Sequence, residues 1–364
     1  MPADVAGETL EEAMVAAYTN NPTLLARRAA LRATDEGVAQ ALSGWRPTLS
    51  ASAEIGKEDV DSQSGFFTSD ETRTPETYSL NLSQPLYRGG RTLAATAQAE
   101  NLVRADRARL AEVEQDILLQ AATAYMDVLR DQAVLEFAIN NEQRLRRQRE
   151  AAQDRFDVGE VTRTDVAQAE ARLSNAIADR VRARSDLTSA RASYRNVVGT
   201  LPGKLTPPPA VVGLPDGERD AQEMAVRDNP GVVGAAHAAL AASDEARGAF
   251  GGLLPEVSLD ADLRRAEDQA SRGSLTESAS ISARITIPLY QAGSAYSVVR
   301  EARQVAAQRR LEVDESRRAV YEEATQAWQD LVAARAQIAA FGDAVRAAEI
   351  AFEGVEQEAA VGSR

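Results

Sequence analysis

The feature that constrains this chain most is a change of period that occurs twice. In TYSLNLSQPLYRGGRTLAATAQAEN, Thr77 to Asn101, the residues Tyr78, Leu80, Leu82 and Leu86 alternate with Thr77, Ser79, Asn81 and Ser83. That is a strand with one apolar and one polar face. After Arg88-Gly89-Gly90 the pattern turns alanine-rich and helical, and no proline interrupts it for more than sixty residues. The same junction returns in ASISARITIPLYQAGSAYSVVR, Ala279 to Arg300, where Pro288-Leu289-Tyr290 matches Pro85-Leu86-Tyr87. Twice, then, a strand feeds one very long helix, and the chain is a duplication.

The first repeat is read over residues 1–205 and opens with helix over 8–43, interrupted at Asn20-Asn21-Pro22, where proline can start a second helix. Thr48 to Lys57 alternates strictly and predicts the first strand of a β-hairpin spanning 48–87, with the polar stretch Asp59 to Pro75 as its loop around Phe66-Phe67. A helix over 91–157 follows, in which Val103, Leu110, Ile117 and Ala124 recur every seventh residue, the seam of a coiled coil. Val158-Gly159-Glu160 breaks it. The return helix, 162–198, carries Val166, Leu173, Arg180, Leu187 and Tyr194 at one heptad position and Ala169, Ala176, Ala183, Ala190 and Val197 three residues on, which predicts a tight antiparallel pair. Its roughly 56 Å, added to roughly 32 Å for helix 23–43, nearly equals the roughly 100 Å of the long helix, so the two shorter helices are expected to stack end to end beside it.

Residues 206–220, rich in proline and glycine, read as a linker. The second repeat, 221–364, then aligns Asn229-Pro230 through Pro255 on Asn21-Pro22 through Pro47 without a gap, at an offset of 208, and holds an offset of 203 from Pro85 onward. Val257, Leu259, Ala261 and Leu263 form one apolar row, and Ile281, Ala283, Ile285 and Ile287 another. Arg364 corresponds to Val161, so this repeat is without its return helix, and a C-terminally shortened form of a longer protein is expected.

Composition removes several function classes. Net charge is −14, so no basic surplus exists to neutralise phosphates, and nucleic acid is excluded as a partner. There is no cysteine, and the single histidine, His237, sits in the helical AAHAAL; no cluster of acid, base, nucleophile or phosphate loop is visible. The expectation is a protein that is not an enzyme, with no catalytic residues, metal site or cofactor. No apolar run reaches the ~18 residues of a spanning helix, and no signal peptide is visible.

Four strands of about ten residues with one apolar face have the length and period of transmembrane β-strands. The alternative for the strands is a soluble two-hairpin sandwich with its apolar faces packed together, and the alternative function is that of a soluble coiled-coil scaffold. If the strands lie in lipid, no edge can stay unpaired, and four strands cannot close a barrel, so several copies must share one.

On SLNLSQPLYRGG at 79–90, RITIPLYQAG at 284–293, ATAYMDVL at 122–129 and RFDVGEVTRTDVAQAEARL at 155–173, the chain resembles the TolC family of outer-membrane efflux and secretion channels over almost its whole length. The resemblance implies an α+β, mainly α fold and a homotrimer. A twelve-stranded barrel in the outer-membrane bilayer would continue into a periplasmic α-helical barrel, with a mixed belt built from the termini and the linker. It implies a passive exit duct for type I protein secretion or multidrug efflux, working with a periplasmic adaptor and an ABC or other energised inner-membrane transporter. Carried over by position, the gate and adaptor-docking tips fall on Gly159, Thr164 and Asp165 in the first repeat and on Val361, Gly362 and Arg364 in the second. Thr164 and Asp165 are equally good helix caps. The strand-helix junctions are Pro85, Tyr87 and Gly90, and Pro288, Tyr290 and Gly293. The two tyrosines suit a membrane interface or packing at the barrel base, while Tyr125 and Trp328 read as packing residues.

Overall fold

The computed structural model describes residues 7–64 and 67–360 and is mainly helical. In chain order the elements are α1 (Leu10–Asn20), α2 (Pro22–Leu42), β1 (Thr48–Ile55), β2 (Glu58–Ser64), β3 (Phe67–Arg73), β4 (Glu76–Arg88), α3 (Arg91–Asp157), α4 (Arg163–Val198), α5 (Glu218–Asp228), α6 (Pro230–Gly251), β5 (Glu256–Glu267), β6 (Leu275–Thr286) and α7 (Ser294–Ala360). The stretch expected as a loop between the first two strands is itself a ribbon, β2 on β3, with Arg73 Nη2 3.0 Å from Glu58 Oε2. Its residues are too polar to show an apolar period, and backbone pairing with that ion pair holds it extended.

The end of the stretch expected as linker and the start of the second repeat form α5. Adding the offset of 208 to α1 gives α5 residue for residue, and both following helices begin at Asn-Pro. The asparagine caps each: Asn21 Oδ1 accepts from Thr23 N at 2.9 Å, and Asn229 Oδ1 from Gly231 N at 2.8 Å. Compactness divides the chain differently from the duplication, into residues 1–30 with 109–214 and residues 31–108 with 215–364.

In the first unit, α1 packs on α3 and α4 through Ala13, Ala17, Ile117, Ala121, Ala124, Leu187, Ala190 and Val198, around two fully buried tyrosines, Tyr125 and Tyr194, with ring centroids 6.5 Å apart. Small side chains bring the helix axes close, which is why two aromatic rings suffice to fill the core. Their hydroxyls tie the segment before α1 to the segment after α4. The Tyr125 hydroxyl lies 2.8 Å from the Glu8 carbonyl and 2.6 Å from that of Thr206, and accepts from Thr206 N at 3.1 Å. Tyr194 donates to Glu8 Oε1 at 2.5 Å, and Glu8 meets Leu205 in a parallel bridge. The Tyr194 hydroxyl is pushed above its ordinary titration range, by burial first and the Glu8 carboxylate second. Asn21 Nδ2 donates to the Val197 carbonyl at 3.0 Å, joining the start of α2 to the last turn of α4.

One seam position is charged. Arg180 of α4 donates to Glu142 of α3, whose other oxygen takes Arg146 Nη2 at 2.6 Å. Glu142 is buried in a hydrophobic seam and is tolerated there because both oxygens are paired.

Candidate functional site

In the second unit the two hairpins do not stack face to face. They join edge to edge in one antiparallel sheet of order β1-β4-β5-β6. Register sorts its faces completely over the central rows. Leu49 pairs with Leu82, Leu82 with Ala261 and Ala261 with Ile281; Ala51 pairs with Leu80, Leu80 with Leu263 and Leu263 with Ala279. On the other face Ser50, Asn81, Asp262 and Ser280 form one row, and Ser83, Asp260 and Ser282 the next. The polar face bonds to itself. Ser83 Oγ donates to Asp260 Oδ1 at 2.7 Å, Ser258 Oγ to Asp260 Oδ2 at 3.0 Å, and Arg284 Nε lies 3.4 Å from the same oxygen.

The apolar face is open: Leu49 is 66%, Ile281 73% and Ile285 65% exposed. From Val257 to Leu263 this face runs about 20 Å, close to the ~25 Å apolar band of outer-membrane barrels. Beyond it on the same face come Arg265, Glu267 and Glu277, joined by ion pairs of 2.5 and 3.3 Å. Among the described residues β1 and β6 each have one unpaired edge. No described helix is long and apolar enough to cross a membrane.

The family model described as outer membrane efflux protein matches residues 14–200. The chain belongs to that family. The outer membrane efflux protein BepC of Brucella suis is 38% identical over 358 residues, 98% of this chain and 77% of its own length. The outer membrane protein TolC of Vibrio cholerae is 28% identical over 98% of this chain and 82% of its own. Among solved structures, the outer membrane protein VceC of Vibrio cholerae superposes with a TM-score of 0.76 over 93% of this chain and 83% of its own, at 19% identity, which speaks to the fold.

In this efflux-family chain the strand-helix junctions repeat in backbone as well as in sequence. Gly89 and Gly90 have φ of +61° and +76°, and their counterparts Ala292 and Gly293 have +50° and +81°. The flanking residues differ. β4 continues through Pro85 and Tyr87 to Arg88, opposite Glu256, with a bulge between Pro85 and Tyr87. Glu256 is the start of β5, so β6 has no partner beyond it and stops at Thr286; Pro288 and Tyr290 lie outside the sheet, and Tyr290 is 86% exposed.

At the hairpin turn, Gly159 has φ +84°, its N–H meets the Phe156 carbonyl at 2.9 Å, and Glu160 N meets Arg155 O at 2.8 Å, a Schellman termination of α3. The cap of α4 is Thr162. Asp165 is the third helical residue, closing a capping box with Thr162 N at 2.9 Å, while Thr164 takes no part in the cap. The Thr162 backbone N–H first, and its hydroxyl second, hold the Asp165 carboxyl below its ordinary value of 3.8. Val361, Gly362 and Arg364 lie outside the described residues. The Asp260 cluster and the Glu142–Arg180 pair escaped the reading of the sequence. Arg180 standing among leucines in the heptad was the only signal for either.

Proposed function

We propose that this chain is one subunit of a trimeric exit duct in the outer membrane, a passive conduit for efflux or type I secretion. The observation that carries the proposal is an open sheet with one uninterrupted apolar face and two unpaired edges. Along the twelve residues of β6, half of the backbone N–H and C=O groups face no partner. In hydrocarbon each would cost several kcal/mol, so the sheet can enter lipid only with both edges covered. Three copies joined β6 to β1 give twelve strands and no edge, with the Asp260 face lining a wet lumen. The helices would continue the duct into the periplasm. The turns around Gly159, Thr164 and Asp165, with Val361, Gly362 and Arg364 in the second repeat, would meet a periplasmic adaptor and a transporter that supplies cargo and energy. Asp165 already serves the capping box, so a gating role must use the oxygen capacity left to it.

The test is single-channel conductance of purified protein in planar bilayers together with a subunit count by native mass spectrometry. Conducting trimers are expected. A non-conducting, monodisperse monomer in detergent-free buffer would overturn the proposal in favour of a soluble scaffold.

A further inference from the structure

The two ends of the sheet differ in charge. The end that joins the helices, residues 43–47, 88–101, 244–256 and 287–303, carries Arg46, Arg88, Arg91, Arg247, Arg300 and Arg303 against Glu100, Asp244, Glu245, Glu256 and Glu301. The opposite end, residues 54–77 and 264–279, carries ten acidic residues against five basic ones. In a chain of net charge −14, a level with a slight basic excess stands apart from that acidic end. The same level carries Trp45, Tyr87, Phe250, Tyr290 and Tyr296, all exposed. Aromatic rings with cations around them are the composition of a membrane interface facing anionic lipid.

Within this girdle lies a groove of about 500 Å³ between α3, α6 and α7, floored by Gly89, Gly90, Ala94 and Ala97. Its apolar walls are Leu93 and Phe250, which are 69% and 47% exposed. Arg247 and Arg303 line it as well. Arg247 is tied to the buried Asp244, and Arg88 and Arg91 both bind Glu256 at 3.2 and 2.6 Å. Arg303, by contrast, is without an ion-pair partner among the described residues. Leu93 and Ala97 follow Gly90 by three and seven residues, so they lie about 5–10 Å below the end of the strand, the depth of a headgroup layer.

We infer that this groove holds the headgroup of an anionic phospholipid from the leaflet bordering the periplasm. Its phosphate would sit on Arg303 and its upper acyl carbons against Leu93 and Phe250. The free guanidinium supplies the charge, the small floor the room, and the exposed apolar walls the contact for hydrocarbon. The inference rests on the membrane reading above, and on the strands entering the bilayer from this junction.

The experiment is native mass spectrometry of the full chain released from nanodiscs of mixed phosphatidylglycerol and phosphatidylethanolamine, with conductance measured on the same preparations. Preferential retention of phosphatidylglycerol is expected. Arg303→Gln should lower that preference about fivefold, the share of one cation near a membrane surface. Arg300→Gln, in the girdle but outside the groove, should lower it far less, and conductance should be unchanged in both. Conducting protein that retains the two lipids equally, or that responds equally to the two substitutions, overturns the groove and leaves the duct standing. Protein that neither conducts nor enters bilayers overturns the duct, and the groove with it.

Discussion

The duplication predicts how one subunit pairs with the next. Within the chain, β4 meets β5 with Leu80 opposite Leu263 and Leu82 opposite Ala261. The open edges belong to their counterparts: β6 is the repeat of β4 at an offset of 203, and β1 is the repeat of β5 at an offset of 208. Carrying the β4–β5 register across the duplication sets Ala283 opposite Ile55 and Ile285 opposite Ala53 of a second copy. Both pairs are apolar on both sides, so the sorted faces continue unbroken. The chain has no cysteine, so paired cysteines report this register without background. Directly opposed residues have Cα atoms about 4.5–5.5 Å apart, inside the ~4.4–6.8 Å that a disulfide bridges. A two-residue slip opens the pair to about 7–8 Å, and a one-residue slip turns one side chain to the other face. Under mild oxidation, Ala53→Cys with Ile285→Cys should therefore give a covalent trimer on denaturing gels. The pairs Ile285→Cys with Ala51→Cys or Ile55→Cys should give little, and with Ser52→Cys none. Conducting channels whose best cross-link is one of the offset pairs would show that the repeat does not govern assembly.

The charged seam pair gives a second prediction. Arg180→Leu leaves Glu142 with Arg146, and Glu142→Leu leaves an Arg180 that is 30% exposed and partly rehydrated, so each should cost about 1–3 kcal/mol, below the ~3–5 of a fully buried pair, while the double leucine variant recovers most of it. Hydrogen exchange over 166–198 measures this, and additive losses would refute it. Tyr125→Phe removes the group shared by Glu8 and Thr206; it should cost about 1–3 kcal/mol and open residues 200–212 to limited proteolysis before the helices melt. The Asp165 carboxyl is held below its ordinary 3.8, so its capping contribution is present above that pH and lost as pH falls through the lower folded value. Amide exchange at the start of α4 should be flat from pH 7 to about 4 after correction for intrinsic rates and rise below it, and Asp165→Asn should flatten the profile.

Period is what made the fold legible. Alternation at 48–57 and 77–86 located strands and sorted their faces, and the heptads at 103–124 and 166–197 located the long helices. Alternation says which way a residue points but nothing about which strand lies beside it, so the β4–β5 join between repeats was hidden. The β2–β3 ribbon was hidden because Glu58, Asp59, Asp61, Asp70 and Glu71 bury no face and leave no apolar period. At the hairpin turn Thr162, Thr164 and Asp165 are all competent caps, and only the backbone shows that Thr162 is the one where extended φ/ψ gives way to helix. Pro288-Leu289-Tyr290 repeats Pro85-Leu86-Tyr87 in letters but not in conformation, because strand length depends on a neighbour that sequence identity does not encode.

That last difference extends to the helices. A Cβ placed on Gly89 would stand 2.2 Å from the Gly251 carbonyl, and one on Gly44 would stand 3.0 Å from Thr92, so the start of α3 is gripped by the turn after α2 on one side and by α6 on the other. Ala292 shows that the left-handed turn alone does not demand glycine, since alanine bears φ +50° there at a cost of about 1–2 kcal/mol. What excludes a side chain at position 89 is the close approach of α6. The residue that would approach Ala292 in the same way is the counterpart of Gly251, Ser43, at the end of α2 and just before the free edge strand β1. Within one chain the turn 43–45 lies at the other junction, where a Cβ on Gly44 would meet Thr92. The flank missing from α7, like the edge missing from β6, would on the proposed assembly be supplied by the same part of a second copy. On the proposed assembly, one contact with one neighbour seats the strand and the helix together.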